Sequence, residues 1–205
     1  MKTIRIPTFF SLIILLAPLA LLGRVETGST APDFTLRDSN GEERTLSDFK
    51  GQHVVLEWTN HECPFVKKHY ASGNMQNLQR TYTGKGVAWL TILSSGEGNQ
   101  GCVSAEKANE LIQTAEASPT AYLLDYDGTV GRKYTAQTTP HIFVIDPEGQ
   151  LVYQGAIDDV RSADPADIVG AKNYVSLALG ESMSGKPVSV SDTQPYGCSV
   201  KYGSK

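Results

Sequence analysis

Short, nearly all-apolar runs alternate along this chain with longer stretches of mixed polarity. His53-Val54-Val55-Leu56-Glu57-Trp58, Val87-Ala88-Trp89-Leu90-Thr91-Ile92-Leu93 and His141-Ile142-Phe143-Val144-Ile145-Asp146 are rich in β-branched and aromatic residues. Runs of this length without strict alternation predict strands covered on both faces. Ala31-Pro32-Asp33-Phe34-Thr35-Leu36 and the residues around Arg44-Thr45-Leu46 predict two extended segments joined by a turn at Ser39-Asn40-Gly41. Ser47 to Gly51 predicts a helical turn ended by glycine, and Ala121 to Leu124 a short strand. Leu151-Val152-Tyr153-Gln154-Gly155, beyond the Pro147-Glu148-Gly149 turn, completes a hairpin with the third apolar run.

Helical periodicity fills the gaps. Pro64 stands where a first helical turn tolerates proline, and the pattern predicts a helix from there to about Tyr82. A glycine-rich loop from Gly96 to Gly101 precedes a helix opened by Ser104-Ala105-Glu106-Lys107 and running to about Ala117. A short helix is expected within Gly128 to Tyr134, and a last one from near Pro165 to Leu179. Past Gly180 the chain reads as an extended C-terminal tail. Strand–helix–strand–helix followed by a hairpin and a closing helix predicts one α/β sandwich, a mixed central sheet flanked by helices.

The N-terminus breaks this pattern. Lys2 and Arg5 precede an apolar run from Phe9 to Leu22, interrupted only by Ser11 and Pro18, with small residues at Ala20 and Gly23. That order is the signature of a secretory signal, and the run is shorter than the ~20 residues of a spanning helix. The alternative is a membrane tether formed by residues 6–22 and left uncleaved, since no A-x-A site is present. Either way the folded part is expected outside the cytoplasm, periplasmic or extracellular. The organisation is then signal at 1–23, linker at 24–30, folded domain at 31–182 and tail at 183–205.

Composition narrows the chemistry. The 205 residues are 40% hydrophobic and 20% charged with a net charge of −4, a globular balance that argues against nucleic acid as a partner. Cys63, Cys102 and Cys198 are too few for a disulfide scaffold, so reactivity is a live explanation for them. Cys63 lies between a buried strand and a helix, where unpaired N–H groups and the helix dipole favour a thiolate. Lys67, one turn along, is placed to add to that effect, and Glu62 to oppose it.

At this junction Trp58-Thr59-Asn60-His61-Glu62-Cys63-Pro64-Phe65-Val66 resembles the active-site corner of the thioredoxin superfamily. Thr138-Thr139-Pro140 resembles the loop whose cis-proline packs beside that cysteine. Ala31-Pro32-Asp33-Phe34 and Leu46-Ser47-Asp48-Phe49-Lys50-Gly51 are similar to the opening of its redoxin and peroxiredoxin-like (AhpC/TSA-related) branch. The core segment Cys63 to Tyr70 and the tail Pro195 to Tyr202 together resemble exported redoxin-domain proteins. The resemblance runs from about Ala31 to Leu179. It implies a thioredoxin-like sandwich, thiol–disulfide redox chemistry at Cys63, and substrate contacts at Trp58, Pro64, Thr139 and Pro140.

The departures are informative. Val66 stands where a dithiol thioredoxin has its second cysteine, and Asn60 and Leu56 stand where a peroxiredoxin has threonine and proline. A second thiol must therefore come from elsewhere to release a mixed disulfide. Cys198, beside Gly197 in the extended tail, is the first choice and Cys102 the second; a structural Cys102–Cys198 staple is the alternative. Glu57 is a carboxylate in an apolar strand, costly without a task or partner. The resemblance implies a proton relay there; a lysine pair or a water-facing side chain are the other options. His61, Cys63 and His69 include ligands for copper or zinc, but their spacing is no recognised tetrahedral pattern, so no metal and no cofactor are expected. His141, after Pro140, is placed to contact substrate, and Asp158-Asp159 with Asp164 reads as a solvated turn.

The functions in play are three. The first is a thiol–disulfide oxidoreductase acting on a protein or small-molecule disulfide with an unknown electron donor. The second is a thiol peroxidase with Cys63 peroxidatic. The third is a non-enzymatic module that binds a metal or a partner segment.

Overall fold

The computed structural model describes residues 25–203. In chain order its elements are β1 (Thr35–Asp38), β2 (Glu43–Thr45), β3 (Val54–Trp58), α1 (Pro64–Ala71), α2 (Asn74–Thr83), β4 (Ala88–Leu93) and α3 (Ala105–Thr114). There follow β5 (Ala121–Leu124), α4 (Thr129–Lys133), β6 (Thr138–Thr139), β7 (His141–Ile145), β8 (Leu151–Gly155), α5 (Tyr174–Ser182) and β9 (Cys198–Ser199). Seven strands form one sheet in the order β2-β1-β5-β4-β3-β7-β8. β3, β4 and β5 are parallel, whereas β7 and β8 continue one edge antiparallel and β1 and β2 the other. This is the mixed, helix-flanked sandwich that the hydrophobic pattern predicts.

The centre of the sheet is where the apolar runs fall. Every residue of β3, β4 and β7 is buried. Alternation along β3 sends Val54, Leu56 and Trp58 to a layer with Phe34, Leu90, Tyr134 and Phe143. Val55 faces the other layer, with Met75, Trp89, Ile142 and Tyr153 closed over by Val175 and Leu179 of α5. The C-terminal end of β3 therefore emerges from a fixed core and delivers the next residues, Thr59 to Cys63, to one rim of the sheet.

Three expectations change. The helix expected from Pro64 to Tyr82 is two helices, divided at Ser72-Gly73, where Gly73 takes φ +73°. The closing helix is a 3-10 turn at Pro165–Ile168 and then α5, with Gly170 at φ +87° between them. Residues 25–30, expected as a linker, lie along β8: Gly28 N–H donates to the Leu151 carbonyl (2.7 Å) and the Gln154 amide to the Val25 carbonyl (2.6 Å). The signal or tether at residues 6–22 lies outside the described residues. Among the described residues no helix is long and apolar enough to cross a membrane.

Candidate active site

Cys63 is the N-cap of α1, with extended backbone (φ −67°, ψ 124°) and Pro64 at the first helical position. Proline presets the helical φ and removes an N–H that would have had no partner. The cysteine is fully buried, and its thiol donates to the Thr139 carbonyl at 3.0 Å. Thr139–Pro140 is a cis peptide bond, so the loop singled out from sequence does lie against the cysteine. Burial pushes the Cys63 thiol up, but contacts to the thiolate outweigh it and the pKa is lowered. Those contacts are the Cys198 thiol, the N–H groups of Val66 and Cys198, and the Thr139 side chain. Exposed Lys67, expected to help, is not among these leading causes.

The tail places a further thiol beside Cys63. β9 pairs antiparallel with β6, Thr139 opposite Cys198 and Thr138 opposite Ser199. Gly197 makes this approach sterically open: at φ +141°, a Cβ there would sit 2.1 Å from the Thr139 carbonyl oxygen. Cys198 is half-buried and hydrogen-bonded to Cys63, and burial together with the neighbouring Cys63 pushes its pKa up to about 11. All three cysteines are free thiols in this structure. Cys102 follows Gly101, whose N–H donates to Glu62 (3.1 Å), and precedes Val103, whose carbonyl accepts the Tyr126 hydroxyl (2.8 Å). Burial and nearby Glu97 raise its pKa.

A buried polar cluster anchors the tail just before Cys198, and sequence reasoning missed it. Lys68 is wholly buried on α1; its ammonium donates to the Val160 carbonyl (2.7 Å) and the Tyr196 hydroxyl (3.2 Å) and pairs with Asp158 (3.3 Å). The Tyr196 hydroxyl also donates to Asp158, and its ring meets Phe65 edge-on at 5.8 Å. Asp158, expected in a solvated turn, is thus buried because Lys68 neutralises it. His69, expected on the surface or as a metal ligand, is also buried: Nδ1 bonds Asn74 (2.9 Å) and Nε2 lies 3.5 Å from Tyr196 Oη. Burial, against the pull of Asp158, lowers its pKa to about 4, so the ring is neutral at pH 7. No local signal marked Lys68: it follows exposed Lys67 directly, and its partners Asp158 and Tyr196 are distant in the chain.

Glu57 is fully buried with neither a lysine partner nor a face to water. Tyr70 donates to Oε1 (2.9 Å), while Trp89 (2.8 Å), Thr91 (3.1 Å) and Gln79 (3.2 Å) donate to Oε2. Burial raises its pKa against these four bonds. Its bonds do not reach Cys63. Trp58, expected to contact substrate, is instead a core residue packed at a tilt against Tyr134 and edge-on to Phe143, its indole N–H donating to Ser94 (3.0 Å). Its place at the end of β3 turns it inward. His141 is buried too, against Phe143 at 4.4 Å, with Nδ1 accepting from the Gln137 N–H (3.3 Å). Pro64 is exposed beside Cys63, and Thr139 and Pro140 are buried beneath the tail. Asn60 is committed to the glycine-rich loop: its amide donates to Gln100 O (3.2 Å), and its Oδ1 accepts from Glu62 N–H (2.9 Å).

Known proteins are similar to this chain over much of its length. The thiol-disulfide oxidoreductase ResA of Bacillus subtilis is 30% identical over 128 residues, covering 62% of this chain and 66% of its own. A chloroplastic peroxiredoxin Q of Sedum lineare is 31% identical over 141 residues, 59% of this chain and 75% of its own. The crystal structure of a conserved protein from Geobacillus kaustophilus superposes with a TM-score of 0.77 at 27% identity, over 88% of this chain and 94% of that one. Further solved structures share the thioredoxin-like fold. The model of the AhpC/TSA family matches residues 27–154, a span that holds Cys63, the cis-proline loop and all but the last residue of the seven-stranded sheet, and the chain belongs to that family.

Proposed function

We propose that this protein is a thiol–disulfide oxidoreductase whose redox couple is Cys63 with Cys198. The observation that carries the proposal is the pairing of β9 with the cis-proline loop, which brings Cys198 into hydrogen-bonding contact with Cys63. Cys63 is the nucleophilic thiolate of the couple. Ionised, it gains the Val66 and Cys198 N–H groups, and the thiolate is the form that exchanges. Cys198 replaces the second cysteine that Val66 displaces from the helix. The substrate is a protein or small-molecule thiol or disulfide. The basic start and apolar run at residues 6–22 support export, and the mass of the mature protein decides between a cleaved signal and a retained tether.

Peptide mapping of the oxidised protein, followed by titration against glutathione buffers, tests the couple. A Cys63–Cys198 bond with a potential above about −300 mV is expected for an exchanging pair. A Cys102–Cys198 bond that resists glutathione, with Cys63 free, refutes it.

The peroxiredoxin Q similarity favours a second reading, in which peroxide oxidises Cys63 to a sulfenic acid that Cys198 condenses with. Asn60, in the position of the peroxiredoxin threonine, is turned toward the glycine-rich loop, which weighs against it. A sulfenic acid trapped in Cys198→Ser after stoichiometric peroxide would restore this reading.

A further inference from the structure

The two sulfurs of the couple are not equally accessible. Cys63 is sealed by the Thr139 carbonyl and by the tail itself, whereas Cys198 lies half-buried on the outer strand. The seal is stitched down on both sides of Cys198. On one side Tyr196 is locked into the Lys68–Asp158 pair, and Gly197 lies tight against Thr139. On the other, Val200 N–H donates to Gln137 O (3.1 Å), Gly96 N–H to Lys201 O (2.9 Å) and the Tyr202 hydroxyl to Ala136 O (2.8 Å). The Arg132 guanidinium lies 4.6 Å from the Tyr202 ring centroid and donates to the Gly203 carbonyl (2.8 Å). Uncovering Cys63 requires breaking these contacts together. Cys198 is the less covered of the two residues.

We propose that external thiols join the couple at Cys198, and that Cys63 serves as internal leaving group and internal nucleophile without itself bonding to the partner. The proposal rests on the Cys63–Cys198 couple above and reverses the usual expectation that the helix cysteine carries the substrate.

In the oxidised pair a partner thiolate attacks Cys198 Sγ. The new partner–Cys198 disulfide forms as the Cys198–Cys63 bond breaks, and the electron pair leaves on Cys63 as a thiolate. A second thiol of the same partner, having lost its proton to solvent, attacks the partner sulfur of the mixed disulfide. The partner departs as a disulfide, Cys198 takes up a proton from solvent, and two electrons have passed to the couple. Run backwards, Cys198 opens a partner disulfide and Cys63 attacks Cys198 to release it. The acidities agree with this order: the thiol whose anion is stabilised is the one expelled in the first step. The mixed disulfide on Cys198 lies beside the Cys63 thiolate, which can re-close the couple, so it must be trapped soon after mixing.

The test uses the Cys102→Ser protein, oxidised and shown by mass to hold the Cys63–Cys198 bond. It is mixed with reduced glutathione, quenched in acid within milliseconds, blocked at free thiols and mapped by peptide. Glutathione on Cys198 with the block on Cys63 is expected, in about tenfold or greater excess over the reverse. An even split, or an excess of glutathione on Cys63, overturns the proposal while leaving the couple intact. Failure to isolate a Cys63–Cys198 bond at the outset overturns the couple and this proposal with it.

Discussion

Glu57 and His69 show how a buried titratable group is handled by its immediate partners. Glu57 accepts four hydrogen bonds, three of them on one oxygen. A glutamine can keep those three on its carbonyl and offer its amide to the Tyr70 oxygen, whereas leucine leaves four donors stranded. Glu57→Gln is therefore expected to lose less than ~1.5 kcal/mol, and Glu57→Leu more than ~3 kcal/mol, in urea unfolding, since each stranded buried donor costs about 1–3 kcal/mol. Comparable losses in both would show that the charge, not the hydrogen-bond set, is what the site needs. His69 is held neutral, its pKa lowered from 6.5 to about 4. The unfolded chain then binds the extra proton first, so the contribution of this residue to stability is lost as pH falls from about 6.5 to 4, by up to ~1.4 kcal/mol per unit. Glu57, with its raised pKa, works in the opposite direction: its contribution is lost as pH rises. The readout is accordingly the difference between wild type and His69→Gln, whose unfolding free energies should converge as the pH is lowered through that window. A constant gap would mean that His69 titrates normally.

Among the elements, the tail strand decides whether a couple exists at all. Gly197→Ala places a Cβ 2.1 Å from the Thr139 carbonyl at a φ of +141°, and a strained backbone of this kind costs about 1–3 kcal/mol. β9 must peel from β6 to relieve it. The expected result is a folded protein with an unchanged far-UV spectrum and a rate of Cys63–Cys198 bond formation lower by about tenfold or more, because proximity is what makes the second thiol effective. Formation at the wild-type rate would show that the strand pairing is not what holds Cys198 in place. The core strands and the Cys63 corner were legible in the sequence because apolar run length and the strand-to-helix junction are local signals. Gly73 and Gly170 divide what periodicity joined, since one left-handed residue interrupts a helix without changing its polarity pattern. The Lys68–Asp158–Tyr196 cluster was not legible: its members lie 90 and 128 positions from Lys68 along the chain, and each alone resembles a surface residue. Cys198 could be nominated from sequence, but only the fold brings it to Cys63.

At the scale of the whole molecule, the proposed couple would tie redox state to stability. A Cys63–Cys198 bond links the start of α1 to the last strand and encloses the greater part of the sheet. A cross-link over a loop this long restricts the unfolded chain strongly, and such bonds typically add about 2–4 kcal/mol. The reduced protein already holds the two thiols in contact, so the native state has little ordering left to do when the bond forms. One effect opposes this. Reduction frees the Cys63 thiolate to its N–H partners, which stabilises the reduced fold. Loop restriction acts on a long segment and thiolate stabilisation on one atom, so the first should prevail. The oxidised Cys102→Ser protein is expected to unfold in urea at pH 7 with a free energy higher than the reduced protein by about 2–4 kcal/mol. By linkage, that difference is the amount by which the native fold favours the disulfide over the unfolded chain, about 40–90 mV at 30 mV per 1.4 kcal/mol. Equal or lower stability of the oxidised form would mean that the thiolate site dominates and that the couple is an oxidant, poised to give its disulfide away.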